Sequence, residues 1–190
     1  MANWLEIFGV VTSLGYLYLE IKQKQQMWIL GFVCAFVYVP VFFQAKIYAA
    51  MSLNIYYVII SVYGFILWQK EKKKRKKEEK NTADTISYSN LSWKLGIILF
   101  VITVLIYVVM VYVLKNYTDS PVPYKDVLVT TLSITATWML AKKIIQHWFI
   151  WFFSDLFSVY LFYTMELYPT AILFVFYGTL SIVGYLKWKK

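Results

Sequence analysis

The chain has 190 residues, of which 61% are hydrophobic and 21% aromatic, whereas only 15% are charged. Soluble domains contain about half apolar and about a quarter charged residues, and a chain this short has too little interior to bury such an excess. The composition therefore excludes an ordinary soluble globule and predicts a protein that exposes most of its surface to lipid.

Apolar runs long enough to cross a bilayer as a helix, about 17 to 25 residues, recur along the whole chain. In chain order they are 4–21, 27–45, 49–68, 93–114, 126–143, 147–164 and 168–187. Because every backbone N–H and C=O inside lipid must be paired within its own segment, we expect helices and not open strands. The predicted fold class is an all-α integral membrane protein with seven transmembrane helices.

One long polar segment, 69–92, separates the third run from the fourth, and it opens with the basic stretch 70–77. We expect a solvated linker on the cytoplasmic side, where basic loops are retained. Sixteen of the 19 Lys and Arg residues then lie inside, and only Lys46, Lys115 and Lys125 lie outside. This places the N-terminus outside and the C-terminus in the cytoplasm. It also explains the net charge of +9 through membrane orientation and attraction to anionic headgroups, without a nucleic-acid partner.

Residues 13–68 match residues 133–188 without a gap, and thirteen of the 56 pairs are identical. The identical pairs include rarer residues, such as Trp28 with Trp148. We therefore predict a parallel repeat of three helices plus one plus three, as in some secondary transporters. The expected units are 1–68 (first repeat), 69–92 (linker), 93–115 (connecting helix) and 126–190 (second repeat).

The largest difference between the matched halves falls in the sixth run. Trp148, Trp151 and Asp155 are spaced i, i+3, i+7 and share one helical face, whereas Trp151 is matched by Gly31 and Asp155 by Ala35. A carboxylate at this depth costs about 3 kcal/mol and usually lines a bundle interior or a water path. Two tryptophans beside it attract a flat cation, each by about 1 to 2 kcal/mol. We predict a binding site for a positively charged aromatic ring.

Each candidate also has a plainer interpretation. Trp148 has its counterpart Trp28 at the same depth, so both fit an aromatic belt, and Asp155 fits a structural hydrogen bond or a proton relay. Asn54, a polar residue in the third run, suits a substrate contact and an interhelical hydrogen bond equally well. Tyr57 is a further candidate lining residue, although most of the 17 tyrosines must serve packing.

Enzyme motifs are absent from the sequence, so we expect neither catalysis nor a cofactor nor a metal. Cys34 is the single cysteine, and His147 stands alone at an interface. Glu20 lies near the cytoplasmic interface, where capping or snorkelling explains it at least as well as a function does. No ATPase motif is present, so transport would be driven by a gradient or by trapping. The competing classes are a membrane scaffold that transports nothing and a proton-coupled sugar or drug carrier.

The run Trp148-x-x-Trp151-x-x-x-Asp155 resembles the W-x-x-W-x-x-x-N/D motif of the PnuC vitamin transporters. The similarity covers essentially the whole chain. It includes Trp4 with Glu6, Tyr48-Ala49, Tyr63-Gly64 through Trp68, Asp126, Leu132-Ser133-Ile134 and Lys142, all in the family's order.

The resemblance implies a SWEET-like bundle, usually a homotrimer, in the inner membrane of a bacterium. Such proteins facilitate diffusion of an unphosphorylated vitamin, best known as nicotinamide riboside, and a cytoplasmic kinase then traps it without a required complex. By position, Trp148, Trp151 and Asp155 would contact the vitamin, and Asn54 falls where relatives have glutamine. Asp155 replaces the asparagine common among nicotinamide riboside members, so thiamine stays open as the alternative substrate.

Overall fold

The computed structural model describes residues 2–44, 46, 48–78, 87–118, 123–164 and 168–190, and most of these are helical. In chain order the helices are α1 (Ala2–Ile21), α2 (Gln26–Gln44), α3 (Tyr48–Glu78), α4 (Trp93–Tyr117), α5 (Pro123–Ala141), α6 (His147–Thr164) and α7 (Tyr168–Lys189). Each predicted run coincides with one of them, so the all-helical fold is confirmed. The side chains of Trp4, Glu6 and Asp126 lie outside the described part.

Helix α3 continues to Glu78, well beyond the predicted end of its apolar run at 68. The added turns consist of Lys, Arg, Glu and Gln, which are good helix formers. Extending an existing helix adds a hydrogen bond for each residue fixed, without a new nucleation cost. The first part of the predicted linker is therefore helix and not irregular chain.

Four helical segments within the described ranges are long and apolar enough to cross a membrane. They are Gln26–Gln44, Tyr48–Arg75, Trp93–Tyr117 and Ala171–Lys189, and Val127–Ala141 is a shorter apolar helix. Helix α4 is the most extreme, because apolar side chains such as Phe100, Leu105 and Val109 are all more than half exposed. Surfaces of this kind match a lipid environment, and the protein is a multi-pass membrane protein.

Helices α1–α3, here the first group, pack closely where a tryptophan crosses a glycine. The Trp28 ring of α2 lies over Gly64 of α3, where a Cβ atom would come within 2.5 Å of ring carbons. The same ring meets Trp68 edge-on, with centroids 5.6 Å apart. Only glycine permits this approach, since any side chain would displace the indole.

Helices α5–α7, the second group, contain the same arrangement at positions 120 residues later. The Trp148 ring of α6 lies directly over Gly184 of α7, and it meets Trp188 edge-on with centroids 5.7 Å apart. Helix α4 packs mainly on α5, to which Thr103 is joined by a 2.6 Å hydrogen bond with Thr135.

The short loops after α1 and α5 also share their geometry. Gln23 and Lys143, which are 120 positions apart, have φ angles of 48° and 54°. Their N–H groups donate to Glu20 O over 2.9 Å and to Leu140 O over 2.8 Å, respectively. A left-handed residue that returns a hydrogen bond to the last turn is a common way to end a helix.

The end of the predicted linker lies across both loops, and residues 87–91 are called here the docked segment. The Gln23 amide donates to Ser87 O over 2.7 Å and accepts from Ser87 N over 3.0 Å. Ser89 N donates to Lys143 O over 2.9 Å. The docked segment therefore connects the first group with the second at the end of the bundle where α1 and α5 terminate, called here the linker end.

Candidate functional site

A cavity of about 650 Å³ lies between the two groups of helices, a volume typical of small-molecule sites. Side chains from both groups contribute its polar and aromatic lining. From the first group these are Thr12, Ser13, Tyr16, Glu20, Trp28, Tyr38, Phe42, Asn54, Tyr57 and Ser61, and from the second Ser133, Thr137, Trp151, Ser154, Asp155, Phe174, Tyr177 and Ser181. The structure brings together four of the five predicted site residues here: Trp151, Asp155, Asn54 and Tyr57.

Asp155 is the carboxylate of the second group in this cavity, and its residue is only 7% exposed. The Ser181 hydroxyl of α7 donates a hydrogen bond to Asp155 Oδ2 over 3.4 Å. No Lys, Arg or His of the described chain forms an ion pair with it. Because a buried carboxylate is costly without a counter-charge, Asp155 is suited to bind a cation that enters the cavity.

Two tryptophans line the same cavity with unused donors. Trp151 of α6 and Trp28 of α2 both have a buried indole Nε1 that finds no hydrogen-bond partner among the described residues. A buried N–H without a partner costs about 1 to 3 kcal/mol. Trp151 is only partly buried, so its ring can offer a bound molecule a face for stacking, whereas Trp28 is 1% exposed and packs on Gly64. Sequence reasoning missed Trp28, because its match with Trp148 suggested a belt residue.

Trp148, the fifth predicted site residue, does not line the cavity. It is 1% exposed and packs among Gly184, Trp188 and His147, with a centroid distance of 4.7 Å to the His147 ring. Trp148 lies on the same face of α6 as Trp151 and Asp155. It is one turn nearer the linker end, however, and there this face packs against α7. Direct contact between Trp148 and a substrate gains no support from this arrangement.

Asn54 and Tyr57 reach the cavity from α3. Asn54 Nδ2 donates to Ala50 O of its own helix over 2.8 Å, so this bond does not join two helices. Tyr57 of α3 lines the cavity together with Ser133 and Thr137 of α5, at the boundary between the two groups. Both residues thus line the cavity from the first group, whereas Asp155 lines it from the second.

Glu20 and His147 form a buried pair that the sequence interpretation missed. Glu20 is 2% exposed and His147 is fully buried, and Glu20 Oε1 lies 3.2 Å from His147 Nε2. The expectations of a snorkelling Glu20 and an isolated His147 are therefore wrong. A useful clue was available, because both residues stand beside a loop at the same end of the bundle.

The described residues contain no group of three or more His, Cys, Asp or Glu side chains that could hold a metal ion. The chemistry available in the cavity is therefore aromatic stacking, hydrogen bonding and the charge of its carboxylates.

A family model described as "Nicotinamide mononucleotide transporter" matches residues 3–190 of the chain. Similar curated proteins include the nicotinamide riboside transporters PnuC of Escherichia coli strain K12 and of Shigella flexneri. Each is 20% identical over 204 residues, a match that covers 98% of this chain and 85% of the relative. The crystal structure of the vitamin B3 transporter PnuC matches with a TM-score of 0.77 and 21% identity, covering 98% of this chain and 81% of that one. At this identity the structural match shows a common fold.

Proposed function

We propose that the chain, which belongs to the nicotinamide mononucleotide transporter family, carries an unphosphorylated vitamin with a cationic ring across the membrane. The resemblance to PnuC proteins is confirmed, and the chain is a transporter and not an enzyme. Nicotinamide riboside is the first candidate, since the similar curated proteins are transporters of that compound. Thiamine, which also has a cationic ring, is the alternative.

The observation that carries this proposal is the position of Trp151 and Asp155 on one cavity wall, each with binding capacity that the described chain does not use. Trp151 stacks on the cationic ring, and Asp155 offsets its charge and accepts a hydrogen bond. Cation–π contact contributes about 2 kcal/mol when desolvated, and a charged hydrogen bond about 1.5 to 3 kcal/mol.

Asn54 and Tyr57 supply polar contacts to the vitamin from the first group. Trp148 supports the site indirectly, because its ring fills the space beside Gly184 and so helps to fix α6 against α7. Its proposed role is packing, and Trp151 is the aromatic partner of the substrate on this helix.

The charges around the cavity favour a substrate that has no phosphate group. Its lining contains the carboxylates Asp155 and Glu20 but no Lys or Arg among the described residues. Phosphate groups are normally bound by Arg, Lys or helix N-termini. Glu20 is paired with His147, so the dianionic phosphate of a nucleotide would face the Asp155 carboxylate with no Lys or Arg in the described lining, and a riboside fits this cavity better than its 5′-phosphate.

Alternating access is proposed to occur by rocking of two units in a three-plus-one-plus-three parallel repeat of seven spans. Its support is the geometry repeated at a spacing of 120: the Trp28–Gly64 and Trp148–Gly184 crossings and the matching loops after α1 and α5. The charge distribution supports a cytoplasmic linker end. We further propose a bacterial inner-membrane homotrimer whose substrate is trapped by a separate cytoplasmic kinase.

The test is a set of parallel binding titrations on the purified full-length protein, read by quenching of tryptophan fluorescence. Nicotinamide riboside is expected to bind, and nicotinamide mononucleotide at least tenfold more weakly. If thiamine binds more tightly than nicotinamide riboside, the substrate assignment changes but the assignment of the site does not. Equal binding of riboside and nucleotide would refute the charge argument, and no binding of either cationic vitamin would refute the proposed function.

A further inference from the structure

The carboxylate of Glu20 marks the boundary of the cavity toward the linker end. It lines the cavity from α1, and its partner His147, at the first residue of α6, lies beyond the cavity wall. The bond between Glu20 Oε1 and His147 Nε2, 3.2 Å long, therefore joins the first group to the second. Because this bond connects the two groups of helices, the cavity cannot open toward the linker end between Glu20 and His147 while the bond is intact.

The hydrogen-bond pattern fixes how many protons the pair holds. His147 Nδ1 lies 2.7 Å from Ile144 O, an acceptor only, so Nδ1 must carry a proton. The contact at Nε2 then needs one further proton, either on Glu20 as a carboxylic acid or on an imidazolium facing a carboxylate. In both cases the pair is neutral overall, which allows it to stay buried.

The pair is enclosed by aromatic rings that belong to the second group. The His147 ring lies 4.7 Å from that of Trp148 and 4.8 Å from that of Trp188, centroid to centroid. Trp188 Nε1 also donates to Glu20 O over 3.2 Å. Such a contact is strong in a dry surrounding and is weakened when water can solvate its charges.

We propose that Glu20 and His147 form the linker-end gate of the transport path, and that their bond breaks when the cavity opens to that side. This inference rests on the proposed function, since a gate needs a path. It assigns Glu20 a role distinct from that of Asp155: Asp155 binds the substrate in the cavity, and Glu20 controls one exit from it.

Cys34, the only cysteine of the chain, lines the same cavity and reports on access to it without any added label site. A charged, membrane-impermeant methanethiosulfonate reagent is applied to right-side-out and inverted vesicles that contain the full-length protein. Glu20→Ala, His147→Ala and the double variant are each expected to raise the rate of Cys34 modification from the linker end at least tenfold. Ser158→Ala, which removes a buried α6 hydroxyl bonded to its own helix, should leave the rate unchanged.

The double variant separates a gate from a structural contact. Removing one partner leaves a buried polar group unpaired, whereas removing both restores a neutral interior. If the pair only stabilises the fold, the double variant should keep the wild-type modification rate, although the loss of two buried side chains lowers its melting temperature, and this result would overturn the proposal. The assay contains no vitamin, so failure of the gate and failure of the transport function give different observations.

Discussion

The indole nitrogen of Trp188, near the end of α7, donates a hydrogen bond over 3.2 Å to the backbone carbonyl of Glu20, near the end of α1. A similar bond runs from Trp68 Nε1 of α3 to Ala141 O of α5 over 3.1 Å. Each tryptophan thus ties the third helix of one group to the first helix of the other. The Trp68 bond satisfies a carbonyl at the end of α5, and the Trp188 bond adds a second donor to Glu20 O, which already accepts from Gln23 N.

Replacing Trp188 with Phe should destabilise the protein, because the ring remains but the donor to Glu20 O is lost. The expected cost is about 0.5 to 1.5 kcal/mol, the net contribution of one hydrogen bond, since Glu20 O still accepts from Gln23 N. Thermal unfolding in detergent measures the change. Trp93→Phe is the control, because Trp93 is 84% exposed, and an equal fall in melting temperature in both variants would refute the role of the bond.

Gly184→Ala should lower stability, because the new methyl group would overlap the Trp148 ring. Overpacking of this kind costs about 1 to 3 kcal/mol. At Gly96 of α4 a methyl group would lie 3.5 Å from the nearest atom of Leu91, an ordinary contact, and Gly96→Ala should be neutral or stabilising. Measured side by side, the melting temperature should fall for Gly184→Ala and stay level or rise for Gly96→Ala. A loss at Gly96 as large as that at Gly184 would contradict the close crossing of α6 and α7.

Trp151→Ala and Trp148→Ala should fail in different ways. The first removes a cavity wall, so affinity for the cationic vitamin should fall at least tenfold, in line with about 2 kcal/mol of cation–π interaction. The second removes a buried packing ring and should cost about 3 to 5 kcal/mol of stability. Binding titrations and unfolding curves of both variants make the comparison. A stable Trp148→Ala protein that has lost binding would restore Trp148 as a direct contact.

Gln146→Ala should release part of the docked segment from the α5–α6 loop. Gln146 Oε1 accepts from Leu91 N over 2.9 Å, and Gln146 Nε2 donates to Asn90 Oδ1 over 3.3 Å. Hydrogen exchange read by mass spectrometry should show faster exchange in peptides that span residues 87–91. Asn116→Ala, which removes a bond confined to α4, is the matched control. Unchanged exchange in the Gln146 variant would show that the other contacts hold the segment alone.

The helices themselves were predictable from the sequence, because a lipid-facing helix must be apolar over its whole length and short polar loops separate successive runs. The end of α3 could not be predicted in this way. Its polar turns past residue 68 carry no hydropathy signal, and only helix propensity favours them. The docking of residues 87–91 depends on polar contacts between distant parts of the chain, which no local pattern reveals.

The site could be predicted in part, because Trp151 and Asp155 differ from their matched positions Gly31 and Ala35. Periodicity placed Trp148 on the same face correctly, but it does not show where along that face the cavity begins. The pair of Glu20 and His147 is separated by 127 positions in the chain, and each residue alone has an ordinary interfacial explanation. Only the packing of α1 against the second group brings them together.

The most direct test of the account is counterflow of radiolabelled nicotinamide riboside into proteoliposomes loaded with the unlabelled vitamin. Wild-type protein should exchange label without an applied ion gradient, whereas Asp155→Ala and Trp151→Ala should each reduce the initial rate at least tenfold at subsaturating vitamin. Ser158→Ala should exchange at the wild-type rate. Full-rate counterflow by the Asp155 and Trp151 variants would contradict the assignment of this cavity as the path of the vitamin.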